Sequence, residues 1–248
     1  MPRTPIHTRA ALLVSAFIMA SGHAMADPNN SLMTIYTQNG LRQLDFEAGT
    51  QKPSGQAGES AATVGLGFGI NDRWFSEIYL SAVRSQGESS KFDSAALVNT
   101  IVLTDQQSPF DFGLYTEIEY EQDRSAGYKA TFGPLLQSSF GLTTANLNLL
   151  FHRNYLADDS NRMQLDYQWQ LKRRWDARFE YGIQGFGELG EWDHWAPQDQ
   201  QAHRVGPVIL GKAVLGEAQV IHYNAAVLFD ILDRQHATTI RFQATCGF

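Results

Sequence analysis

The sequence predicts an all-β fold, a transmembrane antiparallel up-and-down β-barrel of about twelve strands. Three observations carry this. The final stretch, Ala237 to Phe248, sets Thr238, Ile240, Phe242, Ala244, Cys246 and Phe248 on one face and Thr239, Arg241, Gln243, Thr245 and Gly247 on the other. A period of two marks a strand, whose successive side chains point to opposite faces. The same alternation recurs along the chain in segments near the ~9–11 residues that a tilted strand needs to cross a bilayer. Aromatics are plentiful at 12 %, Gly numbers 21 and Pro only 8, which suits strands, tight turns and aromatic girdles.

Residues 1–26 read as a secretory signal peptide. Arg3 and Arg9 give a positive start, Ala10 to Ala20 an apolar run, and Ala24-Met25-Ala26 a small-residue cleavage site. The run is too short to cross a ~30 Å hydrocarbon core as a helix. No Cys follows it, so a lipoprotein is not expected. Residues 27–248, about 220 residues, then form one β domain. The net charge of −7 argues against nucleic acid as a partner. The single Cys246 excludes an intramolecular disulfide framework and reads as a small apolar residue on the outward face.

Taken in order, Leu44, Phe46 and Ala48 alternate with Asp45 and Glu47. Ala62, Val64, Leu66, Phe68 and Ile70 alternate with Thr63 and glycines 65, 67 and 69. Residues 73–84 set Trp74, Ile78, Leu80 and Ala82 against Glu77, Tyr79 and Ser81, and residues 91–103 form an apolar strand of undecided facing. Phe110, Phe112, Leu114, Thr116, Ile118 and Tyr120 oppose Asp111, Gly113, Tyr115, Glu117, Glu119 and Glu121. Residues 128–140 and 143–154 pair around Gly141. Residues 163–172 and 175–183 alternate, the second placing Trp175, Ala177, Phe179, Tyr181 and Ile183 outward and Asp176, Arg178, Glu180 and Gln184 inward. Residues 203–214, 217–231 and 236–248 complete the set. In hydrocarbon every backbone N–H and C=O needs an internal partner, so such a sheet must close on itself. A soluble barrel or sandwich would instead turn these apolar faces inward. Trp74, Tyr120, Trp169, Trp175 and Phe248 are expected near strand ends, where aromatic girdles meet the headgroups.

The connections alternate in length. Short turns fall at 71–72, 104–108, 141–142, 173–174 and 216, and longer polar ones at 50–59, 85–90, 122–127, 155–161 and 188–201. With both termini on the periplasmic side, each of these short turns lands there, as in bacterial barrels, while the last interposed connection, Asp230 to Gln235, is also short.

The terminal aromatic, Phe248, resembles the C-terminal signature of bacterial outer-membrane barrels, which implies the barrel-assembly machinery as a partner through the last strand. The segments Gly69-Ile70-Asn71-Asp72-Arg73-Trp74, Gly113 to Glu121, Phe132-Gly133-Pro134-Leu135-Leu136-Gln137 and Gly206-Pro207-Val208-Ile209-Leu210-Gly211-Lys212 resemble a family of proteobacterial outer-membrane barrels. That family is similar to the barrels grouped with the meta-pathway of phenol degradation. The likeness runs over most of the mature chain, implies a cell outer-membrane location in contact with lipid and lipopolysaccharide, and carries no catalytic site.

Function is expected in the lumen. The inward acids are Asp45, Glu47, Glu77, Asp111, Glu117, Glu119, Asp166, Asp176 and Glu180, and the inward bases Lys129, Lys172, Arg178, Lys212 and Arg241. Of these, Glu77, Asp111, Glu117, Glu119, Asp166, Asp176, Arg178, Glu180 and Arg241 are the candidate lumen-lining residues. Charges confined in a narrow interior must pair or stay hydrated. They either fill the barrel as an ion-pair network or line a polar path, and the acid-rich stretch Asp111 to Glu121 would favour cations or hydrogen-bonding solutes. Passive passage or binding of small polar or aromatic solutes is the leading expectation. A structural barrel with a filled lumen and a lipid-modifying enzyme are the alternatives.

An enzyme is not expected: His152, His203, His222 and His236 share no spacing with a nucleophile, and no G-x-S-x-G element occurs. No cofactor or metal is expected either, Glu191, Asp193 and His194 reading as a solvated loop. The loop Glu188 to Pro197, with Trp192 and Trp195, is the most unusual connection. It is expected either to anchor at the outer headgroups or to fold into the mouth as a constriction.

Overall fold

The computed structural model describes residues 31–52, 57–105, 108–158, 161–215, 219–231 and 237–248; the signal peptide read at 1–26 and the turn at Gly216 lie outside them. The strands are β1 (Arg42–Lys52), β2 (Glu59–Asn71), β3 (Trp74–Ser85), β4 (Lys91–Val102), β5 (Phe110–Glu121), β6 (Tyr128–Phe140) and β7 (Thr143–Tyr155). They continue as β8 (Gln164–Arg174), β9 (Phe179–Glu191), the two-residue β10 (His194–Trp195), β11 (Ala202–Leu215), β12 (Gln219–Asp230) and β13 (Thr238–Gly247). Each long strand pairs antiparallel with its neighbours in sequence, and β13 pairs with β1 from Gly247↔Gln43 to Thr238↔Lys52. The twelve long strands therefore close into an up-and-down barrel, while β10 only folds back on the end of β9. A strand of twelve residues such as β5 rises ~40 Å and, tilted by ~40°, covers ~30 Å, the thickness of a hydrocarbon core.

The alternation sorts water from lipid. Asp45 and Glu47 are 1 % and 7 % exposed, while Leu44 between them and the turn is 47 % exposed on the outer surface. The same split runs around the wall. Cross-strand register lines up Cys246, Leu44, Leu66, Ile78, Leu97 and Ile118 into one outward apolar row. That row starts near the chain-terminal end at Cys246 and lies eight residues up from that end at Ile118, as the shear of a tilted barrel demands. The strand with undecided facing, β4, turns Ser94, Ala96, Val98 and Thr100 inward and Leu97 outward.

Three sequence expectations are corrected. Residues 175–178 form the turn between β8 and β9 rather than the start of a strand, so the turn expected at 173–174 lies farther on. The Asp176 carboxylate accepts the amides of Arg178 (2.6 Å) and Phe179 (2.9 Å), which stabilises the turn. Trp169 faces outward but sits in the middle of β8, opposite Leu147, with its ring over Gly185, so it is no part of a girdle. The connection read as a loop from 188 is strand as far as Glu191, and Trp192 rests its ring 6.4 Å from Phe151 on the outer face, which removes it from any constriction.

The chain-terminal end carries Trp74, Trp175 and Phe248, all exposed, and the opposite end Tyr128, Tyr155, Trp192 and Trp195. In the connection after β5, the Ser125 hydroxyl and amide both donate to Asp123 and hold its carboxyl below the usual carboxylate range.

Residues 31–41 are the largest departure from the sequence reading. They form no strand of the wall. They run through the lumen as an extended strap from mid-barrel to the chain-terminal rim, where a turn at Asn39-Gly40 feeds β1. Gly40 has φ 74, the left-handed region open to glycine. The Gln38 carbonyl accepts the Leu41 amide at 3.0 Å and lies against Gly69, where any Cβ would overlap it.

Candidate functional site

The site is the lumen, and its outline is set by what the strap covers. Inward residues Ala96, Val98, Tyr115, Leu135 and Leu150 of β4 to β7 make a buried apolar patch, and Met33 and Ile35 of the strap pack against it. Polar contacts lock the register: Asn148 donates to the Met33 carbonyl (2.8 Å), the Met33 amide donates to Gln168 Oε1 (3.1 Å), and the Asn39 amide donates to Asp72 at the rim (3.1 Å). A second apolar patch, Phe186, Val208, Ala226 and Leu228, lines the wall of β9, β11 and β12. The interior is thus polar with two apolar plates.

Below and beside the strap lies a cavity of about 1040 Å³, lined by residues of β1 to β6, of β8, β9 and β11 to β13, and by the strap. At about 30 Å³ of liquid per water it has room for about thirty-five molecules. A smaller chamber of about 210 Å³ lies on the other side of Met33, lined by Glu117, Lys129, His152, Asp166, Glu188 and Arg204 among others.

Glu77, Glu117, Glu119, Asp176, Arg178, Glu180 and Arg241 line the large cavity, and Asp166 lines the small one. Asp111 lines neither; it lies low on β5, 3.4 Å from the amide nitrogen of Gln137. Asp176 and Arg178 reach the cavity from the rim turn, not from a strand.

The acids are largely engaged. Asp45 accepts from Gln43 (2.6 Å) and from the Thr245 hydroxyl. Glu47 accepts from Gln243 (2.9 Å), and Glu117 from the Tyr115 hydroxyl (2.7 Å). Glu119, 6 % exposed, lies 3.7 Å from Lys129. Asp166 contacts His152 at 3.1 Å. Arg241 donates to Asn224 (3.0 Å) and lies over the Phe186 ring at 5.6 Å. This satisfies the requirement that charges confined away from bulk water be paired or hydrogen-bonded.

The strand period predicts which residues face inward. It misses the strap, because Leu32, Met33 and Ile35 are too few to register as an element and the hydrogen-bond partners of Met33 lie more than a hundred residues away.

Two of the described histidines have side-chain partners. His203 bridges Tyr167 (2.7 Å) and Gln201 (2.8 Å), and His152 contacts Asp166; none of these partners is a serine. Among the described residues no group of three His, Cys, Asp or Glu is placed to hold a metal ion.

The backbone is similar to that of the KdgM porin solved in complex with disordered oligogalacturonate, with a TM-score of 0.58 and 8 % identity over 83 % of this chain and 99 % of that one. Looser likenesses run to the translocator domain of the autotransporter NalP from Neisseria meningitidis (TM-score 0.48, 13 % identity, 98 % and 94 % covered) and to the Acinetobacter baumannii outer membrane protein Omp33 (0.45, 8 %, 85 % and 100 %). At these identities the likeness is one of fold, that of the outer-membrane β-barrels. No family model matches the sequence. No curated protein matches it either.

Proposed function

We propose that this chain is an outer-membrane channel through which small polar or aromatic solutes pass, or in which they are held. The observation that carries the reading is the cavity of about 1040 Å³, lined by charged, polar and apolar side chains, inside a closed barrel beside a strap that covers only part of the wall. A barrel whose side chains fill its interior, as in eight-stranded barrels, would leave no cavity of this size. The short-turn end, where both ends of the barrel wall meet, is then periplasmic. The resemblance of segments such as Gly69 to Trp74 to a family of outer-membrane barrels, itself similar to those grouped with the meta-pathway of phenol degradation, keeps aromatic solutes within the range.

The test is conductance in planar bilayers, for the mature chain and for a form lacking residues 27–36. Steps in the mature chain that grow when the strap is removed support a channel that the strap narrows. A silent barrel in both forms points to the alternative, a structural wall with a closed lumen.

A further inference from the structure

We infer that the periplasmic end of the lumen is an anion-binding vestibule, so that the solutes this channel favours are small anions, carboxylates above all. The inference deepens the channel reading and rests on it.

Four strand ends converge at this rim. Arg174 is opposite Glu180 in the β8–β9 register, and Lys212 is opposite His222 in the β11–β12 register. The Lys212 amide donates to the Arg178 carbonyl at 3.0 Å, which brings the rim turn against β11. Arg174, Arg178, Lys212 and His222 all line the cavity, and all four are exposed.

On the β8–β12 side of the rim, Lys172, Arg174, Arg178 and Lys212 face Asp176 and Glu180, four cations to two acids, while Asp45, Glu47, Glu77, Glu117 and Glu119 line the cavity across the lumen. Both rim acids are already used. Glu180 sits 2.8 Å from Lys172 and 3.9 Å from Arg174, and Asp176 caps its own turn. Arg178 and Lys212 make no ion pair among the described residues. They are accessible charges with hydrogen-bond donors to spare, the chemistry that recognises a carboxylate or another small oxyanion.

The acids across the lumen do not cancel this. Asp45 and Glu47 are almost fully buried and accept hydrogen bonds from Gln43 and Gln243, and Glu77 lies 3.4 Å from the same Gln43 amide nitrogen. Glu117 and Glu119 are held by Tyr115 and Lys129. The overall charge of −7 is carried in part by connections at the opposite end, roughly 30 Å away along the strands. Beyond a Debye length of ~8 Å at physiological salt such charges are screened, so the local balance decides which ion gathers at the mouth. The acid-rich β5, expected from sequence to favour cations, presents no such accessible cluster.

The experiment is the reversal potential of the mature protein, or of the form lacking residues 27–36, in a bilayer under a tenfold KCl gradient. Chloride is expected to permeate roughly three- to tenfold better than potassium. The double variant Arg178→Glu, Lys212→Glu, both on exposed rim positions, is expected to reverse that preference. Succinate added on the periplasmic side is expected to block current through the unaltered channel and not through the variant. Heat-modifiable mobility confirms that the variant is a folded barrel. Potassium selectivity in the unaltered protein, or a reversal potential that the double variant leaves unchanged, overturns the inference while leaving a channel in place. No current in either form overturns both.

Discussion

The side-chain amide of Asn148, in the middle of β7, donates to the main-chain carbonyl of Met33 at 2.8 Å and so ties the strap to the inner wall. Asn148 also donates to Gln168 (3.1 Å), whose oxygen in turn accepts the Met33 amide. One residue of the strap is therefore held through both its backbone groups.

The strength of that hold can be bounded. Partial burial of Met33 and Ile35 contributes about 3–5 kcal/mol, and the two hydrogen bonds on Met33 about 1–3 more. Ordering the six residues 31–36 costs about 6–12 kcal/mol of backbone entropy. The terms nearly cancel, so a small loss frees the strap. Asn148→Leu is expected to cost about 1–3 kcal/mol of docking and to shift single-channel records toward the larger conductance of the form lacking residues 27–36. Records identical to those of the unaltered protein would mean the strap is held elsewhere.

Gly69 tests the same element from the other side. Its inward face is filled by the Gln38 carbonyl, a backbone group that cannot swing away. Gly69→Ala is expected to push the turn at Asn39-Gly40 off the wall, raising conductance and opening the Tyr36–Gly40 stretch to proteolysis. An alanine variant with the cleavage pattern of the native chain would refute this.

The outward row through Leu97 meets lipid, so Leu97→Arg, close to mid-strand, is expected to destabilise the folded barrel by about 2–4 kcal/mol. Equilibrium urea unfolding in lipid vesicles measures this. In a detergent that supplies water to the same position the loss should shrink.

Trp192 packs on Phe151 outside the wall. Trp192→Ala is expected to leave conductance unchanged and to lower stability by about 1–3 kcal/mol. A change in current without a change in stability would put the indole back at the mouth.

Phe248 ends the chain with its amide donating to the Arg42 carbonyl at 2.9 Å and its ring 60 % exposed. Removing it is expected to reduce the amount of folded barrel in cells while leaving folding from urea into vesicles almost unaffected. An equal loss in both would make the residue a structural one and not an assembly signal.

Much of the wall was legible because the strand period is local. Leu44 against Asp45, or Ile118 against Glu119, needs only neighbouring residues to assign a side. Height along a strand is not local, which is why Trp169 was expected at a girdle and lies over Gly185 instead. Trp175 to Arg178 keep the alternation of a strand and still turn, because Asp176 offers its carboxylate to two amides in a row. The inner apolar plate was hidden for another reason. Leu135 and Leu150 sit on the inward side of strands whose other inward residues are polar, and only the strap's Met33 and Ile35 explain them.

The strap enters the wall through Leu41, directly before β1, and β1 meets β13 at the seam that completes the ring. The first and last long strands of the described barrel thus share one ladder, and the inner segment leaves that seam at Leu41 and crosses the lumen to β4–β8. A sheet still unzipped along that line can take the segment in sideways, with no need to thread it end-on through a finished hoop. Insertion of the plug and joining of the hoop become one event, and a circular permutant that moved the seam to the far side of the barrel would have to separate them.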